Sequence, residues 1–223
     1  MSEKPSSLLA TMSQNVWITR HGNRHDFVNP EWFNTAEHPY DPPLSEDGVI
    51  QAQELGERLS LEGIAHIFSS PFLRAVQTAH YVAQALELAI KLEAGLSEWL
   101  NPEWMPAMPE TLPPEVLAER YPHIDLSYTS RIVPQYPESS ETLAERTAGT
   151  ARQLVEEFSQ DILLVGHGAS VLGTTTGLVG GSPTINASLC CLVKLVRGSQ
   201  GWEMELHGDT SHLSQSETVV RFI

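Results

Sequence analysis

The chain has 223 residues, a formal net charge of -15 from 13 basic and 28 acidic residues, and 41% hydrophobic residues. A chain of this length can build its own core, so it needs neither a disulfide nor a structural metal to fold. Its acidic surface repels nucleic acids and anionic membranes, and no apolar run is long enough to span a bilayer. We therefore expect a globular domain over residues 14–223 without nucleic-acid or membrane partners, preceded by a flexible tail over residues 1–13.

The two cysteines, Cys190 and Cys191, are adjacent in the sequence. Neighbouring residues on a strand point to opposite faces, so these side chains are poorly placed to form a disulfide with each other. We interpret both as free thiols. Free thiols favour a reducing compartment, which predicts a cytoplasmic protein.

Predicted strands and helices alternate along the chain. Short apolar and β-branched runs predict strands over 16–19, 64–69, 89–92, 161–165, 188–196 and 202–206. Apolar residues at helical spacing predict helices over 45–61, 70–86, 114–120, 140–158 and 168–180. Residues 29–43, rich in proline and aromatic residues, are predicted to be a loop. Residues 101–137 hold eight of the fifteen prolines, and we interpret them as an insertion that forms a lid.

This alternation predicts an α/β fold, a doubly wound and mainly parallel sheet with helices on both faces. The last two strands are expected to form a hairpin. Ser70 followed by Pro71 predicts the start of the second helix, with Ser70 as its N-cap. Ligands of such sheets bind beyond the carboxyl ends of the strands, where functional side chains are therefore expected.

Two predicted strands end in a histidine followed by a glycine, at His21 and His167. If these strands are parallel neighbours, both histidines lie at the same edge of the sheet. Arg20 and Arg24 flank the first histidine, and Arg74 lies in the first turn of a predicted helix. The positive end of a helix disfavours a cation there unless an anion lies opposite. Phosphate is the expected anion, since guanidinium groups bind its oxygens two at a time.

Five segments in order along the chain together resemble the histidine phosphatase superfamily, whose fold is phosphoglycerate mutase-like. They are Arg20-His21-Gly22, Pro43-Leu44-Ser45 with Gly48, Gln51 and Ala52, Ser69 to Ala79, Gly95 to Trp99, and Val165 to Gly168. Within the superfamily the chain is most similar to the branch of ecdysteroid-phosphate phosphatases and T-cell ubiquitin-ligand phosphatases. The residues that carry this similarity are Arg24, Asp26 and Glu98-Trp99. The chain departs from that branch at Asn23, where glutamate is common.

The resemblance implies a metal-independent phosphomonoester hydrolase that acts through a phosphohistidine at His21. It implies catalytic roles for His21, Glu98 and His167. It implies phosphate-binding roles for Arg20, Arg24, Arg74 and His167. Glu98 would protonate the leaving group and then take a proton from the attacking water, so activity is expected to be highest below neutral pH. The resemblance implies neither a cofactor nor a metal ion.

The expected partner is a small phosphorylated substrate, and a bulky aromatic or hydrophobic leaving group is our hypothesis. It rests on apolar side chains in and near the segments above, namely Trp32, Phe33, Trp99, Trp104, Met105 and Met108. Two alternatives share the same phosphate pocket. One is a phosphoglycerate mutase-type phosphotransferase that needs a bisphosphate primer, and the other is a non-catalytic phosphate-binding regulatory module. The sequence favours no particular oligomeric state.

Overall fold

A computed structural model describes residues 13–216, so nearly all of the tail predicted over 1–13 lies outside the described residues. The strands are β1 (Asn15–Arg20), β2 (His66–Ser69), β3 (Ile90–Leu92), β4 (Ile162–Gly166), β5 (Leu192–Gly198) and β6 (Gly201–Asp209). The helices are α1 (His25–Val28), α2 (Trp32–Thr35), α3 (Glu46–Leu59), α4 (Leu73–Leu86), α5 (Pro114–Arg120), α6 (Ser140–Glu157) and α7 (Gly168–Val179). Within this part of the chain, no helix is both long and apolar enough to cross a membrane.

The six strands form one sheet in the order β3-β2-β4-β1-β5-β6. The first four are parallel, and β5 and β6 add an antiparallel hairpin at one edge. The predicted α/β fold with a mainly parallel sheet is therefore confirmed, and so is the terminal hairpin. From β1 the chain crosses to β2 and β3 on one side of the sheet. It then returns to β4, beside β1, and continues to β5 and β6 on the other side, so the direction of the connections reverses at the β4–β1 pair. This is the position at which doubly wound sheets bind their ligands.

The central strands are apolar because helices cover both faces of the sheet. Alternation along β1 shows the division: Trp17 packs in one core cluster, whereas Val16 and Ile18 pack in the other. The first cluster includes apolar side chains of α3 and α4, and the second includes those of α6 and α7. Helices thus pack on both faces of the sheet and fix its strands. The side chains at the carboxyl ends of these strands are therefore held in place.

The start of α4 differs from the prediction. The helix begins at Leu73, and its N-cap position is Phe72 rather than Ser70. A carboxylate from a distant loop replaces the local cap, since the Leu73 N–H donates to Asp41 Oδ1 at 2.7 Å. Ser70 lies before this cap, where its hydroxyl accepts from the Phe72 N–H at 3.3 Å and also takes part in the site described below.

Two other segments also differ from the prediction. The predicted loop 29–43 contains the four-residue helix α2, and α1 lies just before it. Strand β5 begins at Leu192 and not at 188, because Cys190 adopts a left-handed backbone with φ of 49° in a turn. Both cysteines are free and buried. Helix α5 lies where it was predicted, inside the insertion 101–137.

Candidate active site

Three parallel strands bring the candidate residues to one edge of the sheet. Arg20 at the end of β1 pairs with Gly166 at the end of β4, so the next residues, His21 and His167, lie side by side. The His21 N–H donates to the Gly166 carbonyl at 2.9 Å. The two imidazole rings meet edge to face, with centroids 5.2 Å apart. Ser70 follows β2 at the same level, where its N–H donates to the Val165 carbonyl at 2.9 Å.

His21 is completely buried, and its two ring nitrogens have different surroundings. Nδ1 lies 2.7 Å from the Gly22 carbonyl, which can only accept, so Nδ1 carries the proton. Nε2 has no hydrogen-bond partner among the described residues and holds a free lone pair. Burial, followed by the charges of Arg74 and Arg20, holds the pKa of His21 well below its usual range. His21 is therefore a neutral imidazole with an unprotonated Nε2, the form that can act as a nucleophile.

The position after His21 has room only for a glycine, Gly22. A Cβ atom at this position would lie 2.6 Å from the Gly48 carbonyl oxygen of α3, closer than any side chain tolerates. The glycine after His21 thus lets helix α3 approach the backbone of the site directly.

His167 is also completely buried, and Ser70 orients its ring. The Ser70 hydroxyl lies 2.9 Å from Nε2, and Nδ1 faces a carboxylate oxygen of Glu98 at 3.3 Å. A proton on Nδ1 satisfies this arrangement, with Nε2 accepting from the serine hydroxyl. Burial, only partly offset by the charge of Glu98, lowers the pKa of His167 to about 4. Sequence reasoning missed Ser70 because its position before proline is typical of a helix cap.

Glu98 lies in the loop after a short 3-10 turn over Ala94–Leu96, and its carboxylate is 8% exposed. One oxygen accepts from Arg74 Nη2 at 3.3 Å and faces His167 Nδ1, and the other accepts from the Trp99 N–H at 3.0 Å. Burial favours the neutral acid, but His167 and Arg74 outweigh it and hold the pKa of Glu98 well below its usual range. In the unliganded site Glu98 is therefore ionised.

Arg74 is 1% exposed and lies between two carboxylates, with Nη2 3.3 Å from Glu98 and Nη1 3.9 Å from Asp41. Burial and the charge of Arg24 lower the pKa of Arg74 to about 10, so it stays charged at neutral pH. Its Nε and Nη1 atoms have no hydrogen-bond partner within residues 13–216. Burial raises the pKa of Asp41 to about 6, against the opposing charge of Arg74. In the unliganded site, the anions opposite Arg74 are thus the carboxylates of Glu98 and Asp41. The Nε and Nη1 atoms of Arg74 remain available to a ligand.

Arg20 and Arg24 each bind another group of the protein. Arg20 is buried, donates from Nη1 to the Ala187 carbonyl at 3.1 Å, and acts on His21 through its charge. Arg24 forms a two-pronged ion pair with Asp26, at 2.9 and 2.5 Å, and its guanidinium stacks over Phe27 at 4.5 Å. Both arginines thus add positive charge around the histidines.

Two adjoining cavities meet at Glu98. The smaller has a volume of about 370 Å³ and is lined by Arg24, Asp26, Phe27, Phe33, Tyr40, Arg74, Glu98, Trp104 and Met105. The larger, about 780 Å³, is an apolar groove between α6 and α7, and Trp99, Leu143, Ala144, Ala148, Ala169 and Leu172 are among its lining residues. Glu98 and Trp104 line both cavities. Neither cavity is lined by His21 or His167, whose side chains are completely buried.

The apolar residues singled out from the sequence divide between these cavities and other places. Phe33, Trp104 and Met105 line the smaller cavity, and Trp99 lines the larger one together with Trp104. Trp32 and Met108 line neither cavity: the indole N–H of Trp32 donates to the Pro39 carbonyl at 2.9 Å, and Met108 is 49% exposed.

His21, Glu98 and His167 also have the donor types of a metal site, with one ligand atom from each within 4.8 Å of the others. It is the one such group found among residues 13–216. Arg74, Arg20 and Arg24 place positive charge around it, and this charge suits an anion better than a cation. The residues present therefore fit an anionic ligand between a neutral histidine and a carboxylate.

The chain belongs to the histidine phosphatase superfamily, since the model of branch 1 of that superfamily matches residues 16–210. The Drosophila melanogaster ecdysteroid-phosphate phosphatase is 31% identical over 220 residues, which covers 80% of this chain and 29% of the fly protein. The probable phosphoglycerate mutase GpmB of Proteus mirabilis is 32% identical, and the match covers 89% of this chain and 94% of that protein. The chain corresponds to less than a third of the fly protein's length.

The architecture is likewise shared with solved structures. The ecdysone phosphate phosphatase of Bombyx mori in complex with tungstate superposes with a TM-score of 0.74 at 19% identity. That superposition covers 93% of this chain and 96% of the insect chain. The predicted superfamily, branch and phosphoglycerate mutase-like fold are thus confirmed.

Proposed function

We propose that the protein is a metal-independent phosphomonoesterase in which His21 carries the phosphoryl group. One observation carries the proposal: a buried neutral histidine with an unpartnered Nε2 lies beside a carboxylate, a second histidine and a charged arginine. This combination supplies a nucleophile, a proton donor and charge stabilisation at a single point. A site built for binding alone needs only the cationic groups.

In the first step, the Nε2 lone pair of His21 attacks phosphorus and forms a P–N bond while the ester P–O bond breaks. The Nδ1 proton stays on the ring and is donated to the Gly22 carbonyl in a hydrogen bond, which stabilises the positive imidazolium as it forms. Arg74 and the Nδ1–H of His167 hold the equatorial oxygens, and Arg20 and Arg24 add positive charge. Glu98 gives its proton to the leaving oxygen.

In the second step, water attacks the phosphohistidine. Glu98 takes a proton from that water, the P–N bond breaks, and the electron pair returns to Nε2 of His21. Inorganic phosphate leaves together with the proton that Glu98 has taken, and the ionised site is restored. The same carboxyl group acts as acid and then as base, so atoms and protons balance over the cycle.

The proton on Glu98 comes with the substrate. In the free site the carboxylate is ionised because Arg74 and His167 face it. An arriving phosphate competes for both partners and adds negative charge, so it raises the pKa of Glu98. A monoanionic ester delivers the required proton. Because the second pKa of a phosphate monoester is about 6, kcat/KM is expected to fall above that pH.

We further propose that the apolar groove between α6 and α7 holds a hydrophobic or aromatic leaving group. Glu98 must touch the leaving oxygen, and Glu98 is where the groove meets the smaller cavity, which we call the phosphate-side cavity. Trp99 and Trp104 pack edge to face, with centroids 5.0 Å apart, and offer ring surfaces to the leaving group. The insertion 101–137 acts as a lid in this proposal, since it supplies Trp104 and Met105.

A substitution on the rim tests the groove. Ala144 is exposed on α6 and lines the groove, so Ala144→Trp fills space without disturbing the core. We expect a higher KM for naphthyl phosphate and an unchanged KM for a small alkyl phosphate in the same variant. A KM that stays equal for both substrates would place the leaving group elsewhere.

The phosphatase activity is tested with p-nitrophenyl phosphate in excess chelator. We expect phosphate release that His21→Ala abolishes. His66→Ala is the matched control, because His66 lies at the opposite end of its strand from the site and should leave turnover intact. Release that needs a metal, or survives in His21→Ala, contradicts the proposal. Turnover only with a phosphoglycerate and its bisphosphate primer would identify a mutase, and binding without turnover a regulatory module.

For the compartment, we propose the cytoplasm. The support is chemical: both cysteines are free and buried, as in proteins of reducing compartments.

A further inference from the structure

Arg146 of helix α6 lies outside both cavities and is only 6% exposed. An arginine at this depth requires an acceptor for each donor it buries. Its Nε and Nη2 donate to the two carboxylate oxygens of Glu138, each at 2.7 Å. Glu138 is itself 5% exposed, so the two side chains form a buried, two-pronged ion pair.

The remaining donors of Arg146 reach the loop that carries Glu98. Nη1 donates to the carbonyl oxygens of Gly95 and Ser97, at 2.9 and 3.0 Å, and Nη2 donates to the carbonyl oxygen of Glu98 at 3.2 Å. One guanidinium group therefore fixes three carbonyls within four consecutive residues.

Glu138 holds the same loop from its other end. Its carbonyl accepts from the Trp99 indole N–H at 2.9 Å, and its N–H donates to the Leu100 carbonyl at 3.0 Å. Its carboxylate also faces the Leu100 N–H at 3.4 Å. Residues 95–100 are thus attached to one ion pair, and the Glu98 side chain points from this loop into the site.

We propose that Arg146, held by Glu138, is the positioning residue for Glu98. This inference rests on the proposed function, in which Glu98 protonates the leaving oxygen. Arg146 touches neither His21 nor either cavity, so it acts through the loop and not on the substrate. A general acid must lie within hydrogen-bond reach of the leaving oxygen, and a displacement of about 1 Å is enough to lose much of its effect.

A positioning role predicts a dependence on the leaving group that a merely structural role does not. Phenyl phosphate has a basic leaving oxygen that needs a proton, whereas 2,4-dinitrophenolate leaves without one. In Arg146→Lys, we expect kcat/KM for phenyl phosphate to fall by about tenfold or more and that for 2,4-dinitrophenyl phosphate by about twofold at most. Arg58→Lys is the matched control, because its ion pair with Glu62 lies on the surface of α3.

A double variant tests whether the loss of activity in Arg146→Lys arises through Glu98. If Arg146 acts through Glu98, Arg146→Lys adds little to the loss already caused by Glu98→Gln. Glu138→Gln provides a second route if the lysine variant does not fold, and it should show the same leaving-group pattern with a smaller loss.

An equal loss for both substrates, or losses that multiply in the double variant, would overturn the positioning role. Failure of the proposed function looks different, since the wild-type protein would then hydrolyse neither ester in a His21-dependent way.

Discussion

The pH dependence of folding stability provides a quantitative test of how His167 is buried. Its pKa is about 4 in the folded protein, against 6.5 for an ordinary histidine, because burial disfavours the charged ring. At pH values between these two pKa values, this histidine is protonated in the unfolded chain and unprotonated in the folded protein. The stability that this group contributes is therefore complete above pH 6.5 and is lost as pH falls toward 4.

The magnitude follows from linkage. At pH 4 the unfolded histidine is protonated and the folded one is half protonated, so the loss is about 3 kcal/mol. Glu98 adds little to this window, since its stabilising contribution is complete above its unfolded pKa of 4.5 and is lost mainly as pH falls below that value. Many mesophilic domains have only about 5–15 kcal/mol of stability, so a loss of this size is measurable.

The assay is urea unfolding at several pH values between 7 and 4, for the wild-type protein and His167→Asn. The variant can differ in stability at neutral pH, but its loss on acidification should be smaller than that of the wild-type protein by about 3 kcal/mol. Titrating groups that do not face His167 cancel in this difference. Equal losses for the two proteins would show that His167 accepts a proton freely in the folded state, and this would refute the account of its burial.

Three further predictions concern the groups around the phosphate position. Glu98→Gln should lower kcat/KM for phenyl phosphate by about 10²–10³-fold and that for 2,4-dinitrophenyl phosphate far less, and equal losses for both esters would exclude Glu98 as the acid. Ser70→Ala leaves Nε2 of His167 without its hydrogen bond and should reduce the free energy of unfolding by about 1–3 kcal/mol, whereas no change in urea unfolding would mean that the bond contributes nothing. Asp41→Asn removes a negative charge 3.9 Å from Arg74, so inorganic phosphate should inhibit more tightly at pH 7.5. That gain should disappear below pH 6, where Asp41 is neutral in the wild-type protein, and a gain that persists there would contradict the raised pKa.

The principal features of the site follow from the sequence because they depend on strand ends. Apolar runs identify β1 and β4, and parallel pairing of two such strands brings the residues that follow them together. His21 and His167 could therefore be paired before any coordinates were known. Arg74 was found for a similar reason, since a cation at the start of a helix requires a compensating anion.

The supporting residues could not be found in this way because their partners are distant in the sequence. Ser70 has the local pattern of a cap, but Asp41 caps α4 from another loop, and the Ser70 hydroxyl lies against His167. Arg146 left one local signal, a charged residue three positions after Leu143 on the buried face of a helix. Nothing local indicates that it satisfies the carbonyls of a loop about fifty residues earlier.

The short helices α1 and α2 were missed for a different reason. Each contains four residues, about one turn, and an apolar period cannot be recognised in so short a segment. Their placement still matters for function, since Phe27 and Phe33 line the phosphate-side cavity.

Trapping the covalent intermediate tests the central claim most directly. The protein is mixed with p-nitrophenyl phosphate, quenched within milliseconds in alkali, where phosphohistidine is stable, and digested for mass spectrometry. We predict one phosphate on the peptide that contains His21, attached at Nε2, and none in His21→Ala. Turnover without any phosphorylated His21, or with the phosphate on another residue, would contradict the account.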